Sequence, residues 1–329
     1  MLNINNSIDL KNLVSLINDS ETILIASHIM PDGDNIGAIA SLGLALKKLN
    51  KVVTTSNLDP VPRIYKFFPD SESIIPLGPI TKVHDLFILV DCSDETRMGI
   101  DNYMDLGKTV VNFDHHAGNT MFANVNIVEP DISSTCEMVY YLINALDVEI
   151  DKDMAISIFT GMMTDTIRFL TNSCNPRFYQ IIADLVSKGV DPAMVGTNIY
   201  MNNTENSTRL LGDLLEEFKL SDDKKLSYSL ITEELKTKHN ITKEDIPSIV
   251  NHILSVNTVE TALTFEFDKD IIHLSMRSKT DFDVGKIARE LGGGGHLNAA
   301  GTAISGTSED CNKIISMVKD RMKKHFAQN

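Results

Sequence analysis

Short apolar runs alternate with longer stretches of helical period through the first part of this chain. Residues 23–26 and 86–90 are runs of four and five apolar side chains, and 109–113, Thr-Val-Val-Asn-Phe, is a third β-prone run, each with the length of a buried strand. The segment 36–49 that follows the first run is apolar at helical spacing, as is the stretch from Met154 to Asp165. This alternation continues to about residue 190 and predicts an α/β fold, a doubly wound parallel sheet. After Pro192 the pattern changes: residues 201–207 are polar, and 208–219 read as an amphipathic helix. Strands are expected at 226–232, 260–268 and 271–277, the last two joined by Asp268-Lys269-Asp270 as an antiparallel hairpin, with helices at 246–254, 284–291 and 308–326. The expected organisation is a first domain over 1–195, a helical linker over 196–218 and a smaller α+β domain over 219–329, without internal repeats or low-complexity tracts.

What distinguishes the strand-like runs is what stands at their ends. Ser27-His28-Ile29-Met30-Pro31-Asp32-Gly33-Asp34 follows the first, Asp91-Cys92-Ser93-Asp94 the second, and Asp114-His115-His116 the third. Pro31 and Gly33 suit a tight turn, so His28, Asp32 and Asp34 can converge instead of pointing around a helix. Asp165, in Gly161-Met162-Met163-Thr164-Asp165-Thr166, ends an apolar helical stretch. A single Asp after a strand is ordinarily a helix N-cap or an Asx-turn. Four such clusters, on four apolar elements and rich in carboxylates and imidazoles, instead describe a metal site. Open α/β sheets form their sites outside the carboxyl ends of strands, where the clusters can share one crevice. Carboxylates and imidazoles without thiolates favour manganese or magnesium over structural zinc, and the imidazoles tilt the choice toward manganese.

A second motif lies near the C-terminus. Gly292-Gly293-Gly294-Gly295 follows the helix ending at Leu291, and one or two glycines would be enough to terminate it. Four, followed by His296 and small residues, suggest backbone that approaches a ligand closely, with N–H groups available to phosphate oxygens. The run is neither a P-loop nor a dinucleotide fingerprint, since no Lys-Ser/Thr follows and the spacing differs. Arg277 and Lys279 add positive charge at the end of the hairpin strand.

Taken in order, SHIMPDGD, VDCSD, NFDHH and GMMTDT resemble the four motifs of the DHH phosphoesterase superfamily, and GGGGHLNAAG resembles the signature of the accessory C-terminal domain of one subfamily. The nearest likeness is to the NrnA-like oligoribonuclease and pAp phosphatase group. The resemblance implies two divalent metals, manganese preferred with magnesium or cobalt as alternatives, that activate a hydroxide and clamp the departing oxygen of an in-line displacement at phosphorus. It implies that His28, Asp32 and Asp91 hold one metal and that Asp34, Asp91, His115 and Asp165 hold the other, with Asp91 as the bridge. Asp114 would orient an imidazole, and His116 would face the substrate. Arg277, Lys279, Gly293, Gly294, Gly295 and His296 would grip a substrate phosphate, and Arg168 would add a positive contact. The chain departs from the family pattern at Asn35-Ile36, Cys136, Ile167 and Leu297, none of which is an implied ligand.

Composition narrows the substrate. With 329 residues, 43% hydrophobic and 23% charged, the chain has the length for two domains with cores of their own. Its net charge of −15 argues against a long electropositive groove for duplex nucleic acid, whose binding draws on many phosphate contacts. Short oligonucleotides and 3′,5′-bisphosphates such as pAp fit better. The expected activity is their hydrolysis to 5′-mononucleotides by an enzyme that measures the spacing of two phosphates. The alternatives are a cyclic-dinucleotide phosphodiesterase, a single-strand exonuclease, a pyrophosphatase, which the glycine motif disfavours, and a non-catalytic nucleotide sensor. The N-terminal stretch has no basic flank leading into a long apolar run, and no segment reaches membrane-spanning length. Four cysteines at 92, 136, 174 and 311 show neither CxxC spacing nor disulfide density, as expected for reduced thiols in a cytoplasmic protein, and a homodimer is compatible with all of this.

Overall fold

In the computed structural model, which describes residues 10–77, 80–242 and 245–328, the strand-like runs of the first half become neighbours in one sheet. Residues 1–9 of the N-terminal stretch read above lie outside the described residues. The chain divides into two compact units between Asn202 and Asn203.

The strands of the first unit are β1 (Thr22–Ala26), β2 (Val52–Asn57), β3 (Ile75–Pro76), β4 (His84–Val90), β5 (Gly107–Asp114) and β6 (Val125–Val128). They form a parallel sheet of order β3-β2-β1-β4-β5-β6. The chain order reverses between β1 and β4, so the crevice that open α/β sheets use for ligands falls at the ends of these two strands. The helices are α1 (Lys11–Asp19), α2 (Gly33–Lys48), α3 (Thr135–Ala145), α4 (Lys152–Asp165), α5 (Pro176–Ser187) and α6 (Pro192–Tyr200).

The 23–26 stretch of β1 and the 86–90 stretch of β4 are apolar because both faces are buried. Leu86, Ile88 and Val90 of β4 join the core under the helices, while Phe87 and Leu89 join a second core. Short 3-10 turns at Glu95–Met98 and Tyr103–Leu106 cover that second face, contributing Met98, Tyr103 and Leu106. Fully burying a side chain such as Phe87 contributes roughly 1.5–3 kcal/mol.

The connection after β1 differs from the expected turn. Asp32 is the N-cap of α2, its Oδ1 accepting from the N–H groups of Asp34 (3.1 Å) and Asn35 (3.0 Å), so Asp34 already stands in the first helical turn. Asp32 is thus the helix cap that an Asp after a strand ordinarily is, and since one oxygen of a carboxylate suffices for the cap, the other remains for the cluster. α2 lies close against α3 and α4 where glycine removes the Cβ. A Cβ on Gly37 would stand 2.6 Å from the Ser157 carbonyl and 2.9 Å from Cys136 Sγ, and one on Gly161 would stand 3.0 Å from Asp34 Oδ1.

The second unit contains α7 (Glu205–Glu217), β7 (Lys219–Leu220), β8 (Leu226–Ile231), α8 (Glu233–Lys238), α9 (Val250–Leu254), β9 (Thr261–Asp268), β10 (Ile271–Ser278), α10 (Val284–Glu290), β11 (Gly294–Gly295), β12 (Ala299–Ser305) and α11 (Ser308–Gln328). Its mixed sheet has the order β11-β12-β10-β9-β8-β7, with β8 and β9 parallel and the other pairs antiparallel. α10 and α11 cover one face through Val284, Ile287, Ile314 and Val318, and α7 and α9 pack on a further core through Leu210, Leu214 and Ile253.

The 268–270 hairpin forms as expected, with Lys269 in the left-handed region. α7 begins three residues earlier than its apolar period suggests, because Thr204 caps it by accepting from Ser207 N. α9 begins four residues later than expected. Pro247 disfavours helix at the residue before it, and the helix starts only at Val250. Ala299–Gly301, the end of the GGGGHLNAAG motif, instead open a strand, Ala299–Ser305, that pairs with β10.

Candidate metal centre

His28, Asp32, Asp34, Asp91, Asp114, His115 and His116, from three of the strand-end clusters, come together at the carboxyl ends of β1, β4 and β5. Asp91 follows β4 with φ +56°, a left-handed conformation uncommon outside glycine and tolerated by Asp, and its N–H donates to the Phe113 carbonyl at 3.1 Å. That conformation ends the strand and turns the carboxylate into the site. His28 Nε2 lies 3.4 Å from Asp91 Oδ2, and its Nδ1 is 2.6 Å from the Ile29 carbonyl. The first turn of α3 holds Asp34, with Thr135 N donating to Oδ2 at 2.7 Å and Cys136 N to Oδ1 at 2.8 Å. These are helix N-terminal donors, which otherwise lack partners and favour a negative charge.

His115 Nδ1 stands 3.2 Å from the Ile132 carbonyl, and its Nε2 lies 3.8 Å from Asp34, 3.8 Å from Asp91 and 3.6 Å from Asp165. Asp165 arrives as the last residue of α4. His116 Nδ1 is 2.7 Å from Asp114 Oδ1, and Asn119 Nδ2 donates to the other oxygen at 2.6 Å.

Three sets of side chains in this unit each offer ligand atoms lying within 4.8 Å of one another: His28, Asp32 and Asp91; Asp34, Asp91 and His115; and Asp91, Asp114 and His116. Asp91 belongs to all three. It is 2% exposed, Asp34 1% and Asp114 0%, so carboxylates are concentrated where water cannot solvate them. Burial, then the neighbouring Asp34, Asp32, Asp114 and Asp165, push the Asp91 carboxyl well above its ordinary range. Burial raises Asp34 as well, against the pull of His115. Asp114 goes the other way: burial opposes ionisation, but His116 and Asn119 hold its carboxyl well below the usual range. Burial, reinforced by Arg97, lowers His28 to about 4, which keeps the ring neutral and able to ligate. For His115, burial is outweighed by Asp165, Asp34 and Asp114, which raise it. Crowded buried carboxylates beside neutralisable imidazoles, with no thiolate among them, are a donor set suited to hard divalent cations. Cys136 is not part of that set, because burial and Asp34 push its thiol far up and its Sγ contacts the Asp34 carbonyl at 3.4 Å.

Arg168 is exposed beyond the end of α4, with its guanidinium 4.1 Å from the centre of the Tyr200 ring. Ile167, Arg168 and Phe169 are three successive left-handed residues there. In the second unit, the pairing of β10 with β12 brings Arg277 opposite Ala299, and Ser278 N donates to the Asn298 carbonyl at 2.9 Å. Arg277, Lys279 and His296 are thus gathered at one end of that sheet. Arg277 Nη1 bonds the Met276 carbonyl at 2.9 Å, and Lys279 Nζ bonds that of Val256 at 2.7 Å.

The glycine run differs from a cradle of open N–H groups. Gly292 N donates to Arg289, Gly293 N to Ala288 and His296 N to Ala299, while Gly294 and Gly295 pair with β12. Close approach is nevertheless real: a Cβ on Gly293 would lie 2.2 Å from the Gly301 carbonyl. The sequence reading passed over Thr135, Asn119, Arg97, Glu137 and Arg177. Only the Ser134-x-x-Glu137 spacing, a capping-box pattern, offered a signal for any of these.

A parallel sheet whose switch point carries crowded Asp and His is the architecture of a metal-dependent hydrolase of the DHH type. The chain belongs to the DHH family: the family's N-terminal domain matches residues 22–163 and a DHHA1 domain matches residues 224–324. It is similar to the bifunctional oligoribonuclease and PAP phosphatase NrnA of Thermus thermophilus, 29% identical over 305 residues that span 91% of this chain and 90% of that protein. The protein of the same name from Bacillus subtilis is 22% identical over 322 residues, 95% of this chain and 98% of that one. Among solved structures, an exopolyphosphatase-related protein from Bacteroides fragilis superposes with a TM-score of 0.88 at 30% identity, covering 97% of this chain and 98% of its own.

Proposed function

We propose that this protein is a metal-dependent phosphoesterase that hydrolyses short oligonucleotides and 3′,5′-bisphosphate nucleotides such as pAp to 5′-mononucleotides. The observation that carries the reading is that Asp91 is shared by two overlapping ligand sets, His28, Asp32 and Asp91 and Asp34, Asp91 and His115, at the switch point of the sheet. His28, Asp32 and Asp91 hold one cation and Asp34, Asp91, His115 and Asp165 the other, with manganese preferred by the mixed carboxylate and imidazole donors. Such a pair, when bound, supplies Lewis acidity at phosphorus and a nucleophile at neutral pH.

The chain's own groups do the rest. Asp32 serves α2 with Oδ1 and leaves Oδ2 for ligation. Asp114, held ionised by His116 and Asn119, fixes His116 with Nδ1 protonated. His116 then exchanges a proton with the leaving group through Nε2. In the second unit, Arg277, Lys279 and His296, at one end of its sheet, supply a phosphate site, and in the first unit Arg168 supplies a positive contact. The acidic balance of the chain supports substrates with few phosphates over long duplexes. Among the described residues no helix is long and apolar enough to cross a membrane.

The test is a product time course on pAp, pApA and RNAs of 5 and 24 nucleotides, with manganese and after chelation. Metal-dependent release of mononucleotide from the short substrates is expected, with the 24-mer slowest. Equal rates on all lengths, or turnover that survives chelation, would overturn the reading.

A further inference from the structure

Beside the cluster lies an ion pair that contributes no ligand, a fully buried glutamate with a partly exposed arginine. Glu137, on α3, is 0% exposed, and its carboxylate accepts four hydrogen bonds. Oε2 takes the Ser133 N–H at 3.0 Å and the Ser133 hydroxyl at 2.5 Å, while Oε1 takes the Tyr141 hydroxyl at 3.3 Å and Arg177 Nε at 2.9 Å. Arg177, on α5, also donates through Nη2 to the Asp131 carbonyl at 3.2 Å. The segment from Asp131 to Ser133 is therefore clamped at both ends by one ion pair.

That segment and the residues just after it carry the contacts that aim the cluster. The Ile132 carbonyl lies 3.2 Å from His115 Nδ1. Thr135 N and Cys136 N donate to the two oxygens of Asp34, and the Thr135 hydroxyl donates to Asp91 at 3.2 Å. Helix capping alone does not account for the arrangement. Ser134 is already the N-cap, and a capping box needs only the Glu at the third helical position reaching back. Tyr141 and Arg177 are additional, and Arg177 comes from a different helix.

We infer that Glu137 and Arg177 are positioning residues that set the metal affinity of the Asp34, Asp91 and His115 group by clamping residues 131–133. The inference rests on the proposed metal site. A group that orients the ligands of a metal typically changes its affinity by about 10–100-fold when removed. A general loosening of the contact between α3 and α5 has no such selectivity, and the fold provides the control: Tyr140, on α3, donates to Asp184, on α5, at 3.0 Å, without touching residues 131–136 through that bond.

The experiment compares Arg177→Lys, Glu137→Gln and Tyr140→Phe in the full chain, measuring Mn²⁺ dissociation constants by calorimetry alongside thermal midpoints. Arg177→Lys keeps the charge opposite Glu137 but loses the fork that reaches Asp131. Arg177→Lys and Glu137→Gln are expected to weaken the weaker Mn²⁺ step by about 10–100-fold, and Tyr140→Phe to leave it unchanged at a comparable loss of midpoint. If Arg177→Lys binds Mn²⁺ as the wild type does, or if all three variants weaken it in proportion to their midpoints, the pair is only a structural tie and the inference falls. A wild-type chain that binds no Mn²⁺ at all would overturn the metal reading and this inference with it.

Discussion

At the scale of single residues, Asp91 concentrates the argument. A left-handed backbone at a non-glycine residue is uncommon, and such positions gather at functional sites because the surroundings must over-determine them. Here the bond to the Phe113 carbonyl, the hydroxyl of Thr135 and the neighbouring His28 do so. Replacing Asp91 with Ala removes a donor from both proposed metal sites at once, so turnover and metal occupancy should be lost together. Retention of full occupancy in that variant, measured by metal analysis after gel filtration, would exclude a bridging role. The two adjacent histidines should separate cleanly. His115 faces Asp34, Asp91 and Asp165, so His115→Ala should lose metal affinity. His116 is held by Asp114, and His116→Ala should keep its metal while kcat drops by roughly 10²–10⁴-fold, the contribution of a positioned acid or base. The reverse phenotypes would refute the assignment of their roles.

At the scale of elements, the site depends on how closely three helices approach. Asp34 comes from the start of α2, its two N–H partners from the start of α3, and Asp165 from the end of α4. Gly37 and Gly161 allow this, since a Cβ at either would collide with neighbouring atoms. The atom nearest a Cβ on Gly37 is a backbone carbonyl, which cannot swing aside. Gly37→Ala should therefore cost about 1–3 kcal/mol through overpacking. For a unit of this size that corresponds to a midpoint lower by roughly 2–12 °C, at about 2–4 °C per kcal/mol, readable by calorimetry. An unchanged midpoint would show that α2 and α4 adjust freely. The end of α4 bears on the departure from the family pattern at Ile167, which adopts φ +51°, a conformation that suits glycine and that a β-branched residue seldom takes.

At the scale of the whole molecule, two units of different chemistry share one chain: an acidic, buried ligand cluster in the first, and a set of cations at the end of a sheet in the second. If the second unit grips a phosphate, Arg277 contributes charge-assisted hydrogen bonds worth roughly 1.5–3 kcal/mol, about 10–150-fold in an equilibrium constant. Arg277→Ala should lower kcat/KM for pAp and pApA by about that factor and leave the already slow hydrolysis of unphosphorylated ApA little changed. Steady-state kinetics on the three substrates decide it. Equal slowing of all three, or of none, would remove phosphate spacing as the basis of specificity.

Much of this was legible in the chain because strands and their ends are local features. A run of apolar residues buried on both faces identifies β1, β4 and β5, and the carboxylates and imidazoles directly after them are candidate ligands by type and position. The hairpin at 268–270 and the helical end at Asp165 are equally local. Other features had no local signal. The composition of 299–305, Ala-Ala-Gly-Thr-Ala-Ile-Ser, does little to distinguish a strand from a loop, and only pairing with β10 makes it one. The N–H groups of the glycine run looked available because their partners, on α10 and β12, are set by the fold. Asp34 is oriented by backbone donors about a hundred residues away, and Glu137 is tied to an arginine on another helix. The sequence by itself determined which side chains could bind metal and on which strand ends they stand, because residue type and hydrophobic period are properties of short segments. Which of their atoms meet, what clamps them, and how close the helices come was decided only by the tertiary structure, because hydrogen bonds between distant segments and close packing exist only once those segments are brought together.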